Sequence, residues 1–379
     1  MSRRIHHLHR DERGLSFVLV SIGLTAFVAA TTLAVDVGML LTARSQAQNS
    51  ADAGALAGAT ALAFNDFNNR SSSGPAVQGA VNAALANQVV GSPVSVGTGD
   101  VTFPVAPSGL SDRVRVRVYR TSERGSPVST IIARLFGVTS ANISASATAE
   151  AVLANAESCV KPWAIPDKWI ERQTPGWDTG DTFTAFPSNP SVFPDIFRVV
   201  TQTTYAGYAT ANVGLTISLN ADVGYVIGGD KFLPIRLPGS NGRADFVSNI
   251  SGCESIAMNI GDALTIEGAT AQDTIDGATN LIALDPGASW NSATKTVVST
   301  NNPSPRIVVL PVYDPLYFEQ GKRVGNFTQI RISNFIGFFV DHIEGSRVVG
   351  QITPVLGGLA TNGTPAPVGA FPRAIRLVE

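Results

Sequence analysis

Residues 15–35 read LSFVLVSIGLTAFVAATTLAV, 21 positions without a charged side chain. At 1.5 Å per residue a helix of that length spans about 30 Å, the thickness of a bilayer's hydrocarbon layer. Arg3, Arg4, Arg10 and Arg13 precede the run, whereas Asp36 follows it and the next basic residue is Arg44. That asymmetry predicts a single-pass anchor in the inner membrane, with the N-terminus cytoplasmic and everything after Asp36 periplasmic or otherwise extracytoplasmic. Thr32 and Ala34 offer small residues to a signal peptidase, but the apolar run is longer than that of an ordinary cleaved leader. A core helix of a soluble protein would carry a polar stripe, and here only Ser and Thr interrupt the apolar residues.

Past Asp36 the helical pattern continues without proline to about residue 64, and Ala43, Ala47, Ala51, Ala55, Ala59 and Ala63 recur at every fourth position. Such a ridge of methyl groups admits a close neighbour, and Gly54 and Gly58 add a second small pair. Four residues overshoot a helical turn by about 40°, so the ridge winds around the helix. It suits either of two neighbours: the protein's own folded part, or a second helix in self-association.

Residues 65–75 (NDFNNRSSSGP) form a polar hinge. Pro75 then suits the first turn of a short helix with Val77, Ala80, Val81, Ala84 and Leu85 on one face. Loose alternation over 94–105 and strict alternation over 113–120 (RVRVRVYR) predict two strands. A helix is predicted over 128–136 with Gly137 as its C-cap, followed by a strand through Ile143, Ala145, Ala147, Ala149 and Ala151. From residue 159 onward, short apolar runs at 306–313, 327–339 and 347–353 alternate with turn residues, and one helix is predicted at 272–284. The expected class is α+β: an N-terminal transmembrane and stalk helix, a small α+β unit and a β-rich C-terminal domain. The expected divisions are a cytoplasmic tail at 1–14, a transmembrane helix at 15–36, a stalk at 37–66, the α+β unit at 67–158 and the β-rich domain at 159–379.

Composition narrows the function. The 379 residues are 44% hydrophobic and 15% charged, enough to bury a core, and 36 glycines with 22 prolines suit strands and turns. A net charge of -2 excludes the basic field that recruits nucleic acid. His6, His7 and His9 sit in the tail and only His342 lies beyond it, which leaves little material for a histidine metal site or a triad. The two cysteines, Cys159 and Cys253, lie downstream of the span, where an oxidising compartment pairs lone thiols. Neither belongs to a Cys-x-x-Cys pair, so a disulfide is expected, with two buried reduced thiols as the alternative.

The order Arg13-Gly14, apolar span, Ala34-Val35-Asp36-Val37-Gly38, Arg44, then Ala51-Asp52-Ala53-Gly54-Ala55-Leu56-Ala57-Gly58-Ala59 resembles the N-terminal segment of TadE/TadG-like Flp pilus-assembly proteins. The stretch from Cys159 through Pro162 and Trp163 to Trp169 is similar to the opening of the C-terminal part of short TadG-like members. The resemblance implies a membrane-anchored component of pilus or envelope assembly, with other assembly proteins as partners. Two departures limit it. The fifth residue after Gly14 is Leu19 where pilins carry Glu, and the Asp-x-Ser-x-Ser start of a von Willebrand A metal site is missing.

Other candidate chemistry is sparse. Arg113, Arg115 and Arg117 share one strand face, suited to lipid phosphate or an acidic partner, or simply to solvent at a sheet edge. Gly239, Ser240, Asn241, Gly242 and Arg243 resemble a phosphate loop only in their glycines. Asp178, Asp181, Asp222, Asp230 and Asp245 lack the spacing of a calcium loop. The reading is a non-catalytic scaffolding or contact protein with no cofactor and no metal. The alternatives are a tethered cell-wall hydrolase, for which Asp314 and Glu319 would be the carboxylates, and a processed, secreted filament subunit.

Overall fold

A computed structural model of the chain describes residues 13–64, 69–106, 112–173, 176–197, 199–200, 204–220, 225–301, 303–325, 328–359, 364–367 and 372–378. Most of the N-terminal tail with Arg3, Arg4 and Arg10, the first part of the expected hinge (65–68), Asp222 and Phe327 lie outside the described residues. The chain divides into two compact units, one of residues 1–150 with 376–379 and one of residues 151–375.

The first unit is organised by helix α1, Arg13–Phe64, whose 52 residues extend for about 78 Å. No proline interrupts it, and alanine, the best helix former, dominates its second half. Helix α2, Pro75–Leu85, starts with proline in its first turn and buries Ala76, Val77, Ala80 and Ala84 against α1. Strands β1 (Val101–Thr102), β2 (Arg113–Arg120) and β5 (Ile143–Leu153) are antiparallel neighbours, with Arg113 opposite Glu150 and Arg120 opposite Ile143. Val114, Val116 and Val118 of β2 are fully buried, and the first two point at α1. The intervening arginines take the other face, as period-two alternation requires.

Two sequence expectations fail in this unit. Residues 128–136 are not a helix: β3 (Val128–Ser129) pairs with β4 (Ser140–Ala141), and only Ala133–Phe136 forms a 3-10 turn. Pro127 and the β-branched run of Val128, Thr130, Ile131 and Ile132 favour extended backbone, and Thr130 Oγ1 donates to the Val138 carbonyl at 2.5 Å across the hairpin. Gly137 does close the turn, with φ of 86°. Over 94–105 only β1 is a regular strand, because Gly97 and Gly99 frame a 3-10 turn at Thr98–Asp100.

The second unit contains β6 (Ala156–Glu157), β7 (Trp163–Pro166), β8 (Thr216–Asn220), β9 (Leu233–Pro234), helix α3 (Arg243–Ser251), β10 (Met258–Asn259), β11 (Ala263–Thr265) and α4 (Ala271–Ala283). β12 (Ile307–Tyr313), α5 (Pro315–Arg323), β13 (Gln329–Glu344) and β14 (Arg347–Thr353) follow. The final strand, β15 (Arg373–Val378), adds to β5 in the sheet of the first unit. The main sheet of the second unit runs β8-β14-β13-β12-β7-β9, with β11 also on β13; only the β12 and β7 pair is parallel. Both faces of β12 are covered: Val308, Leu310 and Val312 join one core with Trp163, Phe338 and α4, while Val309 and Tyr313 join the other with Trp169 and Phe335. That explains why 307–313 is an unbroken apolar run. The chain is thus α+β, a long apolar N-terminal helix followed by a β-rich remainder.

Candidate membrane anchor and packing seam

Over the apolar run the described side chains of α1 are exposed. Phe17, Leu19, Ile22, Leu24 and Phe27 are exposed along a helix long and apolar enough to cross a membrane. Three of its hydroxyls are satisfied internally: Ser21 Oγ donates to the Phe17 carbonyl at 2.8 Å, Thr25 Oγ1 to Ser21 at 2.8 Å and Thr31 Oγ1 to Val28 at 2.9 Å. In hydrocarbon, where no water can replace a partner, such back-bonding removes the cost of a Ser or Thr.

The surroundings of α1 change at Asp36. Its carboxylate is almost fully buried and accepts three successive backbone N–H groups: Ile131 at 2.8 Å, Ile132 at 3.2 Å and Ala133 at 2.5 Å. These amides open the 3-10 turn, so Asp36 acts as a cap supplied from about a hundred residues away in sequence. Two turns further on the seam begins. Ala43, Ala47, Ala51, Ala55 and Ala59 are at most 1% exposed, Ala63 is half-buried, and Ser50 Oγ donates to the Ala84 carbonyl at 2.8 Å. A Cβ at Gly58 would stand 2.8 Å from Val114 and 3.0 Å from the Ala80 methyl, too close for any side chain. Within this unit the small residues of α1 therefore let α2 and β2 approach its backbone. Asp36 stands out in the sequence as the first charge after the span and as part of the Ala34-Val35-Asp36-Val37-Gly38 motif; nothing there announces the 131–133 amides.

The arginine face of β2 is partly engaged. Arg113 Nε lies 2.9 Å from Glu150, whose carboxylate also meets Arg376 Nη2 at 2.6 Å, and Arg115 Nε donates to Thr148 Oγ1 at 3.0 Å. Arg117 is exposed. The structure does not gather the other candidates into a site. Asp178 and Asp181 bond each other's turn, and Asp245 accepts from the Asn241 amide at 2.6 Å. Asp230 lies 3.8 Å from the Lys231 ammonium. Arg243 grips Asp273 with two nitrogens at 2.9 Å, tying α3 to α4. Asp314 is the N-cap of α5, accepting from Tyr317 N, and Glu319 pairs with Lys322 at 2.9 Å. The Asp-Pro pair at 314–315 is a helix-start signal, and α5, like α3, is a helix that the sequence expectation of a single helix omits. Among the described residues no group of three or more His, Cys, Asp and Glu is placed to hold a metal.

In the second unit Cys159 and Cys253 form a disulfide, with Cα atoms 4.4 Å apart and a sequence separation of 94. Beside it the Lys161 ammonium donates to the carbonyls of Asn249 and Gly252 at the end of α3, a cation at a helix C-terminus. Burial nevertheless pushes the Lys161 amine down to about 8. Burial also pushes the Glu157 carboxyl up to about 8; its Oε1 has no hydrogen-bond partner among the described residues and lies against Gly357.

Comparison with known proteins adds one finding. Residues 16–61 match the family model of putative Flp pilus-assembly TadE/G-like proteins. No curated protein and no solved structure matches the chain. The TadE/G-like segment takes in the apolar run, Asp36 and all of the seam but Ala63, and so coincides with the part of α1 that passes from exposed to buried. The likeness to Tad pilus-assembly proteins covers this N-terminal segment alone.

Proposed function

We propose that the protein is a single-pass inner-membrane component of Flp-type pilus assembly, with its N-terminus cytoplasmic and both folded units outside, acting as a scaffold or contact surface rather than as an enzyme. The observation that carries this reading is the coincidence of the TadE/G-like segment with the stretch of α1 that leads from a fully exposed apolar run into a seam buried in the protein's own fold. Helices that span lipid show bulky apolar side chains outward, and close packing needs small ones; α1 changes from one to the other within two turns of Asp36. In this reading the seam serves the protein's own first unit, and partners bind elsewhere on it.

A reporter enzyme active only outside the cytoplasm, fused after Phe64, tests the orientation. Activity is expected, and activity of a cytoplasm-only reporter at the same site would overturn it. In a host that builds Flp pili, deleting the gene should remove pili from the surface and the full chain should restore them. Undiminished piliation would overturn the assembly role.

A further inference from the structure

The hairpin from β3 to β4 is unusual for an exported unit. Ile131 is 55% exposed, Leu135 76%, Phe136 59% and Val138 53%, four large apolar side chains within eight residues. Asp36 fixes where they stand, because its carboxylate holds the amides of 131–133 at the end of the apolar run of α1. Phe136 and Val138 share an open apolar groove of about 360 Å³ with Ala29, Val37 and Leu40 of the helix. Ala29 is seven residues before Asp36, about 10 Å back along the helix into the segment that would cross the bilayer. The apolar tip of the hairpin therefore overlaps the last two turns of the span and continues the same exposed apolar surface. Arg134, exposed on the same turn, is placed as interfacial arginines are, beside the headgroup phosphates.

We propose that residues 131–138 are a second membrane contact, inserting Leu135 and Phe136 among the acyl chains of the leaflet from which α1 emerges. The inference rests on the reading that residues 15–35 cross the membrane. Continuity sets the lipid boundary: the hairpin extends the apolar surface of the span, at the depth where that surface ends. With Asp36 as the clamp, the span and the hairpin grip the leaflet at two points and hold the first unit against the membrane surface.

The test uses the full chain in phosphatidylcholine and phosphatidylglycerol vesicles. Because both native cysteines are joined in the disulfide, Leu135→Cys, Phe136→Cys, Leu24→Cys or Glu123→Cys each presents one thiol for an environment-sensitive fluorophore. Leu24 reports the span and Glu123 an exposed polar turn of the same unit. Labels at 135 and 136 should be blue-shifted, lose fluorescence to lipids spin-labelled high on the acyl chain and resist iodide, while the label at 123 is quenched by iodide. If 24 is quenched by the lipid probe but 135 and 136 by iodide, the anchor stands and the hairpin contact is refuted. If 24 is also quenched by iodide, the anchor itself fails and the hairpin contact with it. Shielding of 135 and 136 from both quenchers would mean a protein occupant, such as a second copy, and would equally overturn the lipid assignment.

Discussion

Replacing Glu157 with Gln should remove a defined pH dependence from the stability of the second unit. The native carboxyl is protonated up to about pH 8, whereas in the unfolded chain it ionises near 4.5. Between those values the native state binds more protons, so stability falls as pH rises, with a limiting slope of about 1.4 kcal/mol per pH unit. Across the window this sums to about 5 kcal/mol as an upper bound, since relaxation around the buried carboxylate lowers the real figure. Lys161 acts on the other side. Its native pKa of about 8 lies below the ordinary 10.5, so the unfolded chain binds the extra proton there and stability recovers as pH rises from 8 to 10.5. The profile should show a minimum near pH 8.

Urea unfolding of the detergent-solubilised full chain, followed by tryptophan fluorescence, isolates this unit because Trp163, Trp169, Trp177 and Trp290 all lie within 151–375. Glu157→Gln is expected to change stability little at pH 5, to flatten the fall between pH 5 and 8, and to leave the rise above 8 intact. A variant with the wild-type slope between 5 and 8, or a wild type whose stability climbs over that range, would refute the assignment.

Three further outcomes follow from the geometry. Gly58→Leu should cost the first unit about 3 kcal/mol or more by forcing α2 and β2 off α1, read as faster proteolysis, whereas Gly38→Leu, with no protein atom near its Cβ, should not. Asp36→Ala should raise amide exchange at Ile131, Ile132 and Ala133 by about thirtyfold, a loss of about 2 kcal/mol of capping; unchanged exchange would show the carboxylate is not the clamp. Denatured, unreduced chain should yield no reactive thiol and two after reduction, and the 94-residue separation gives the bridge about 4 to 5 kcal/mol in the chain-entropy picture.

The apolar span, the alanine ridge and the strands of the second unit were legible because each rests on local pattern, a run or a period. The short apolar runs read at 306–313 and 347–353 are the strands Ile307–Tyr313 and Arg347–Thr353. The disulfide was legible from the expected compartment together with the lack of a Cys-x-x-Cys pair. Local pattern misled at 128–136, where a helix-like composition lost to β-branched backbone preference and to a distant carboxylate. The Asp36 clamp, the buried Glu157 and the Lys161 contact with the end of α3 depend on which segments meet in space, and no spacing in the sequence encodes them. The nine-residue helices α3 and α5 are too short for a clear period, though Asp314-Pro315 marks the start of the second.

Helix α1 carries two demands that elsewhere fall to separate elements. Outside the fold it needs bulk, since hydrocarbon rewards large apolar side chains and asks nothing of their shape. Inside the fold it needs absence of bulk, because Val114, Val116 and Ala80 pack almost onto its backbone. With neither proline nor any other break between the two stretches, the seam is fixed in rotation relative to the span, about 100° per residue. Asp36 lies seven residues before Ala43 and eleven before Ala47, so the clamp and the start of the seam fall on one side of the helix to within about 20°, and the ridge then winds away by about 40° per step toward Ala59. The hairpin held by Asp36 and the first residues of the seam therefore share one face of α1.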